Sequence, residues 1–264
     1  MANYFDGNKA AWEEAFEHRH PNWGDENYVQ LKNERLPFFN PDVRKILLDT
    51  DFTGKCVAQF CCNNGRELLS LMQLGAENGV GFDIAENIIA QAIETAKKAD
   101  IKNCKFESCN ILDISSSYYN SFDFVIFTIG AITWFEDLSE LFDVVGKCLK
   151  PNGRLLLNDF HPLMNMLPLP GEDCFDGDKL NKLTYSYFRK EPWIENNGMG
   201  YMSKEYNSKT FTSYSHTMAD IINSLSENRM KTIHLNENDY DIGLTEVYNG
   251  KGFPLSFTLI AEKS

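Results

Sequence analysis

Short apolar runs and helical stripes alternate along most of this chain. The run Cys-Val-Ala-Gln-Phe at 56–60 predicts a strand, the leucine-rich stretch after Gly65 a helix, and Gly-Val-Gly-Phe-Asp, ending at Asp83, a second strand. Ile88, Ile89, Ala92, Ile93 and Ala96 then fall on one stripe of a predicted helix over 85–99, with Lys97 and Lys98 in its last turn, where cations complement the helix dipole. Residues 104–108 predict a short strand, and 122–128 is nearly continuously apolar, as suits a strand buried on both faces of a parallel sheet. Helical spacing returns over 138–149, Pro-Asn-Gly predicts a turn at 151–153, and 154–160 is another apolar strand. A helix over 218–229 follows. Strands at 232–236 and 254–262, joined by a glycine-containing loop, predict an antiparallel pair closing the sheet.

The stretch from 56 to 83 carries the first chemical signal. A parallel strand, helix and strand bring the turn after the first strand and the acid ending the second to one sheet edge, where a nucleoside-like ligand can lie across both. Asp83 then sits opposite ribose hydroxyls, and its spacing from Gly65 is close to the roughly 20 residues such a unit needs. A dinucleotide-binding turn requires glycines that let backbone approach a pyrophosphate. Here Cys61, Cys62, Asn63 and Asn64 fill the turn and only Gly65 remains. Those side chains crowd a diphosphate but leave room for a ligand without one, such as S-adenosylmethionine, which carries an amino-acid tail instead. Asn can also enter the left-handed backbone region that glycine usually takes.

Composition narrows the partners. With 264 residues, 43% of them hydrophobic, the chain can bury one sizeable core. A formal net charge of −13 opposes a nucleic-acid partner, whose affinity comes largely from Lys and Arg, and favours a small-molecule substrate. The sequence opens on no basic-then-apolar leader, and no run reaches the roughly 20 apolar residues of a membrane span, so a cytoplasmic protein without membrane contact is expected. Its seven cysteines form no Cys-x-x-Cys pair and predict reduced, mostly buried thiols with no metal site.

Four segments, in this order, carry a family resemblance: the 57–65 turn, Gly81-Phe82-Asp83-Ile84, Phe122-Asp123-Phe124-Val125, and Leu149-Lys150-Pro151-Asn152-Gly153-Arg154. With the closing segment 254–263 they resemble the class I S-adenosylmethionine-dependent methyltransferases, in a bacterial small-molecule branch, over about residues 45–160 and from about 215 to the end. The resemblance implies an α/β, Rossmann-like fold: a seven-stranded, mostly parallel sheet with helices on both faces and an antiparallel last strand. One domain is expected, with a helical cap at 1–44, a cofactor-binding core at 45–161, a lid or substrate insertion at 162–214, and the rest of the core at 215–264.

The family pattern usually has an acid where Gln59 stands, helping to hold the cofactor's amino group, and glycines at Cys61 and Asn63. Gln59 and Asn64 can still donate and accept. The implied cofactor-binding residues in this first unit are therefore Gln59, Cys61, Asn64, Gly65 and Asp83. To these the resemblance adds Asn110 for the adenine amino group, Ile84 and Ile111 on either side of the base, and the Thr128, Ile129 and Gly130 turn beside the sulfur. Trp134 shields the sulfonium or faces the acceptor, through an aromatic attraction for a cation of roughly 0.5–2 kcal/mol. Plainer roles stand beside these: Cys61 and Trp134 as core, Asn110 as a turn cap.

Methyl transfer is an in-line displacement in which alignment supplies much of the acceleration, and a base helps only when the acceptor keeps its proton. Two histidines have a suitable pKa for that task, His161 in Asn-Asp-Phe-His-Pro and His216 in Ser-Tyr-Ser-His-Thr; each also reads as a hydrogen-bonded loop or cap residue. Asp159 reads as a support for a histidine. The aromatic-rich segments 1–44 and 162–214 are expected to choose the acceptor. Thr-Ile-Gly-Ala at 128–131 differs from the Asn/Asp-Pro-Pro-aromatic motif of methyltransferases acting on nucleic-acid bases. The expected activity is methyl transfer from S-adenosylmethionine to an oxygen or nitrogen of a small molecule. A non-catalytic S-adenosylmethionine-binding protein and an NAD(P)-dependent oxidoreductase remain as alternatives.

Overall fold

Apolar runs become strands and helical stripes become the layers that cover them, in a computed structural model that describes residues 4–264. Residues 1–3 of the expected cap lie outside the described residues. Three helices come first, α1 (Tyr4–Glu17), α2 (Asn27–Asn33) and α3 (Pro41–Leu48). Alternation follows through β1 (Cys56–Phe60), α4 (Arg66–Met72), β2 (Asn78–Asp83), α5 (Glu86–Lys98), β3 (Cys104–Ser108), β4 (Phe122–Thr128), α6 (Leu138–Cys148) and β5 (Leu149–Phe160). A small antiparallel ribbon, β6 (Trp193–Glu195) with β7 (Phe211–Ser213), precedes α7 (Met218–Glu227), β8 (Met230–Asn238) and β9 (Ser256–Lys263).

The main sheet has the order β3-β2-β1-β4-β5-β9-β8. Strands β1 to β5 pair in parallel, while β9 inserts antiparallel between β5 and β8. The chain moves outward from β1 to β3 and then returns to β4 beside β1. That reversal opens a crevice at the carboxyl ends of β1 and β4, the place where open α/β sheets receive ligands.

Both faces of the sheet are apolar. Ala58 and Phe60 turn toward α6 and α7, packing with Phe142, Val145 and Leu225, while Val57 turns toward Val43, Leu68 and Ala92 on the opposite helices. Phe106 of β3 occupies a slot floored by two glycines: a Cβ on Gly65 would come within 2.3 Å of its ring and one on Gly81 within 2.5 Å. This accounts for Gly81 in β2 and for the glycine kept at the head of α4.

Two local expectations are corrected. Ile93 is 51% exposed, because each helical residue turns about 100° and places it a full step away from Ala92, whose side is the buried one. The predicted turn at 151–153 is absorbed into β5: the β4 pairing jumps from Phe122↔Leu149 to Phe124↔Arg154, and Asn152 takes φ 60° within that bulge. The β6–β7 ribbon had no clear signal in the sequence. Asn8 of α1 fixes it by imitating a strand, its Nδ2 donating to the Thr212 carbonyl at 2.8 Å and its Oδ1 accepting from the Thr212 amide at 2.7 Å. No helix among the described residues is long and apolar enough to cross a membrane.

Candidate functional site

A cavity of about 930 Å³ opens at the carboxyl ends of β1, β2 and β4 and extends beneath α1 and the 162–214 segment. Its floor is the turn after β1. Cys61, Asn63 and Gly65 all hold positive φ, at 54°, 48° and 71°, so left-handed backbone is supplied by two non-glycine residues as well as by glycine. Asp83 clips this turn into place: one carboxylate oxygen accepts from the Asn63 amide at 2.8 Å and the other from the Ala85 amide at 3.1 Å. Burial pushes the Asp83 carboxyl above the usual range, against the lowering effect of those amides. The carboxylate's four lone-pair sites exceed its backbone amide donors and leave room for a ligand hydroxyl.

Gln59 is 1% exposed and its amide is engaged at both ends. It donates to the Thr128 hydroxyl at 2.9 Å and accepts from the Leu68 amide at 2.9 Å, tying β4 to the first turn of α4 across β1. Asp159, at the end of β5, holds the neighbouring turn: its carboxylate accepts from the amides of Gly130 at 2.6 Å and Ala131 at 3.1 Å, and from that of Phe160 at 2.8 Å. Burial raises its pKa despite these bonds. The residue expected to support a histidine instead shapes the backbone beside the cavity, where Gly130 has φ 76°.

Most of the predicted cofactor residues converge. Gln59, Cys61, Asp83, Ile84, Asn110 and Ile111 line the cavity, joined by Thr128, Ile129, Gly130 and Trp134. Asn110 also caps a short 3₁₀ turn, its side-chain oxygen accepting from the Leu112 amide at 3.2 Å. Burial pushes the thiols of Cys61 and Cys62 well above their ordinary pKa, which disfavours the thiolate. Two predicted residues lie elsewhere. Asn64 is 2% exposed and does not reach the cavity, and Gly65 contacts Phe106.

The two histidines separate. His161 does not line the cavity: its Nδ1 accepts from the Leu163 amide at 3.1 Å as a helix cap, and its Nε2 pairs with Glu237 at 2.8 Å. As the cap of the 3₁₀ turn that begins at Pro162, the ring is held against Glu237 of β8 and away from the cavity, so the expectation of a catalytic role for His161 is withdrawn. His216 does line the cavity, with Nε2 2.9 Å from the Phe135 carbonyl. Burial lowers its pKa, so the ring is neutral near pH 7. Because a carbonyl only accepts, the proton sits on Nε2 and Nδ1 carries the lone pair.

Aromatic side chains form the roof. Trp12 of α1 meets Trp134 edge-on at 5.4 Å and Phe211 at 5.5 Å, and Tyr201 lies 6.4 Å from Trp12 and 6.2 Å from Trp23. Along the 162–214 segment, Tyr185 donates to Glu172 at 2.5 Å, and Glu195 lines the same wall. Among the described residues, five carboxylates line this cavity, from Glu67, Asp83, Asp159, Glu172 and Glu195, against a single cationic side chain, Arg66. Such a lining disfavours a pyrophosphate and suits a sulfonium cation, so the donor set fits S-adenosylmethionine better than a dinucleotide.

Sequence reasoning did not single out Arg66 or Glu67, although both directly follow Gly65 in the turn string. It also missed the turn-holding function of Asp159. The available signal was an acid directly ending an apolar strand, the same one that marked Asp83.

The arrangement defines a methyltransferase. The family model for the methyltransferase domain matches residues 56–229, and the chain belongs to that family, within the class I S-adenosylmethionine-dependent methyltransferases. Among curated relatives, a tRNA U34 carboxymethyltransferase of Helicobacter pylori is 32% identical over 110 residues, which cover 41% of this chain and 42% of the relative. Among solved structures, a geranyl diphosphate C-methyltransferase from Streptomyces coelicolor A3(2), crystallised with Mg²⁺, geranyl diphosphate and S-adenosyl-L-homocysteine, superposes with a TM-score of 0.62 at 10% identity, covering 100% of this chain and 99% of that one. An S-adenosylmethionine-dependent methyltransferase from Mesorhizobium loti gives a TM-score of 0.58 at 16% identity, covering 84% of this chain and 96% of that one.

Proposed function

We propose that this methyltransferase acts on an oxygen or nitrogen of a small-molecule acceptor seated between the aromatic roof and the 162–214 segment. The observation that carries this reading is the lining of the cavity: aromatic, rich in carboxylates and with one cationic side chain, in a chain whose net charge is −13. An RNA acceptor would demand phosphate-binding Lys and Arg around the opening. S-adenosylmethionine supplies a methyl group already activated on a sulfonium. Asp83 accepts from ribose hydroxyls through its free lone pairs, Asn110 from the adenine amino group through the second lone pair of Oδ1, and Ile84 and Ile111 enclose the base. The turn at Thr128, Ile129 and Gly130, held by Asp159, presents backbone beside the reacting end. Nδ1 of His216 accepts the acceptor's proton where there is one to remove. Seven free thiols suit a reducing compartment and favour a cytoplasmic setting.

Two measurements test this. Titration calorimetry with S-adenosylhomocysteine is expected to show tight binding by the natural protein and a loss of about 10- to 100-fold in Asp83→Ala, as charge-assisted hydrogen bonds of 1.5–3 kcal/mol imply. Incubation with methyl-labelled S-adenosylmethionine and either a metabolite extract or bulk tRNA is expected to label the small-molecule fraction. Label confined to tRNA would replace the acceptor class proposed.

A further inference from the structure

The cavity has no acid or base at Gln59 with which to grip the amino-acid tail of its cofactor. The Gln59 amide is neutral, buried and bonded at both ends within the protein. A tail carboxylate entering this space meets the carboxylates of Asp83 and Asp159 and finds one opposite charge, the guanidinium of Arg66. Arg66 opens α4 directly after the turn, and its side chain is 42% exposed, onto the cavity. Its Nε donates to Glu67 at 2.8 Å, and the guanidinium lies 5.4 Å from the centre of the Phe38 ring. Glu67 has only 8% of its side chain exposed. A buried carboxylate on one edge and a ring beside the plane fix the orientation of the guanidinium. Its four Nη hydrogens make no protein hydrogen bond among the described residues, and two of them form the parallel fork that matches a carboxylate. Tyr201, hydrogen-bonded to the Asn63 side chain at 3.2 Å, closes the same end of the cavity from above.

We propose that Arg66, oriented by Glu67 and Phe38, binds the carboxylate of the cofactor's amino-acid tail. This rests on the methyltransferase reading of the cavity and adds a residue to it. Arg66 is a binding residue in this scheme, and Glu67 positions it.

The test compares two ligands that differ only in the carboxylate, S-adenosylhomocysteine and its decarboxylated analogue, by titration calorimetry. The natural protein is expected to prefer the carboxylated ligand by about 10- to 100-fold, the range of a charge-assisted hydrogen bond. Arg66→Met should lower affinity for S-adenosylhomocysteine to that of the analogue and leave the analogue's own affinity within about threefold. Arg66→Lys, which keeps the charge without the fork, should fall between them, and it carries the comparison should Arg66→Met fail to fold. A preference retained in the variants overturns the proposal, as does an equal loss for both ligands, which would make Arg66 structural. If the natural protein binds neither ligand, the cofactor reading itself fails, and that result is distinct from the others.

Discussion

Replacing Gly65 by alanine tests why a single glycine survives in the turn after β1. The backbone there has φ 71°, and an added Cβ would lie 2.3 Å from Cε1 and 2.6 Å from Cζ of Phe106, with the Ala92 Cβ at 3.1 Å. Left-handed backbone costs a non-glycine residue about 1–2 kcal/mol. Overpacking against a ring that is 7% exposed and enclosed costs about 1–3 kcal/mol more. Gly65→Ala should therefore lose about 2–5 kcal/mol. Two neighbouring glycines separate the contributions. Gly75 has φ 88° with nothing within 4 Å of its Cβ, so Gly75→Ala carries the backbone cost alone. Gly81 has no positive φ, but its Cβ would stand 2.5 Å from the Phe106 ring and 3.0 Å from the Cys62 sulfur, so Gly81→Ala carries the clash alone. The entropy that alanine removes from the unfolded chain, about 0.4–1 kcal/mol, offsets each loss once, so the sum of the two single losses counts it twice. Urea unfolding followed by circular dichroism gives the three stabilities, provided the slope m stays constant. The cost of Gly65→Ala is expected to exceed the sum of the other two by that one contribution, about 0.4–1 kcal/mol. A loss no larger than that of Gly75→Ala would refute the account of Phe106 as the reason for the glycine.

His216 and Gln59 offer further tests. Burial depresses the folded pKa of His216 below its ordinary value, so the ring is the neutral, proton-accepting form near pH 7 and charges only as pH falls through the depressed value. Turnover should rise with pH through that value and level off above it, while His216→Gln should remove this limb and lower kcat by about 10²- to 10⁴-fold. An unchanged pH profile in the variant would remove His216 as the base. The same depressed pKa makes the neutral ring a source of stability that is lost as pH falls through the folded value, so His216→Gln should unfold less readily in acid than its neutral-pH stability implies. Gln59→Leu strands the buried Leu68 amide and deprives the Thr128 hydroxyl of its donor; a loss of about 2–4 kcal/mol is expected from urea unfolding, and one under about 1 kcal/mol would show that the amide is dispensable.

The alternation of apolar runs and helical stripes was enough to determine the strands of the main sheet, because burial on one or both faces imposes a period that can be read residue by residue. The acid ending β2 was legible for the same reason: Asp83 interrupts an apolar run at the one place where the strand leaves the core. Ile93 shows the limit of that reading, since a stripe can be drawn one residue too wide and only the packed helix decides which edge is buried. The turn after β1 was read as free of diphosphate, yet its departures from the family pattern acquired a cause only in three dimensions. Gln59 bridges β4 and α4, and Gly65 makes room for Phe106 on a strand some forty residues away.

The two histidines could not be told apart in sequence, where His161 ends a predicted strand and His216 precedes a predicted helix, each beside residues that form caps. Tertiary structure divided them through their partners, because His161 caps the turn at Pro162 and pairs with Glu237 while His216 lies against the Phe135 carbonyl on the cavity wall. The pairing of Arg66 with Glu67, and the use of Asp159 to hold the Gly130 turn, likewise depend on where charges stand once water is excluded. Sequence alone determined the order of the main-sheet strands and the class of ligand they admit, since both follow from local periodicity and from the residues at strand ends. Tertiary structure decided which polar groups are already satisfied within the protein and which remain for a ligand, because hydrogen bonds between distant residues are made only when the fold brings them together.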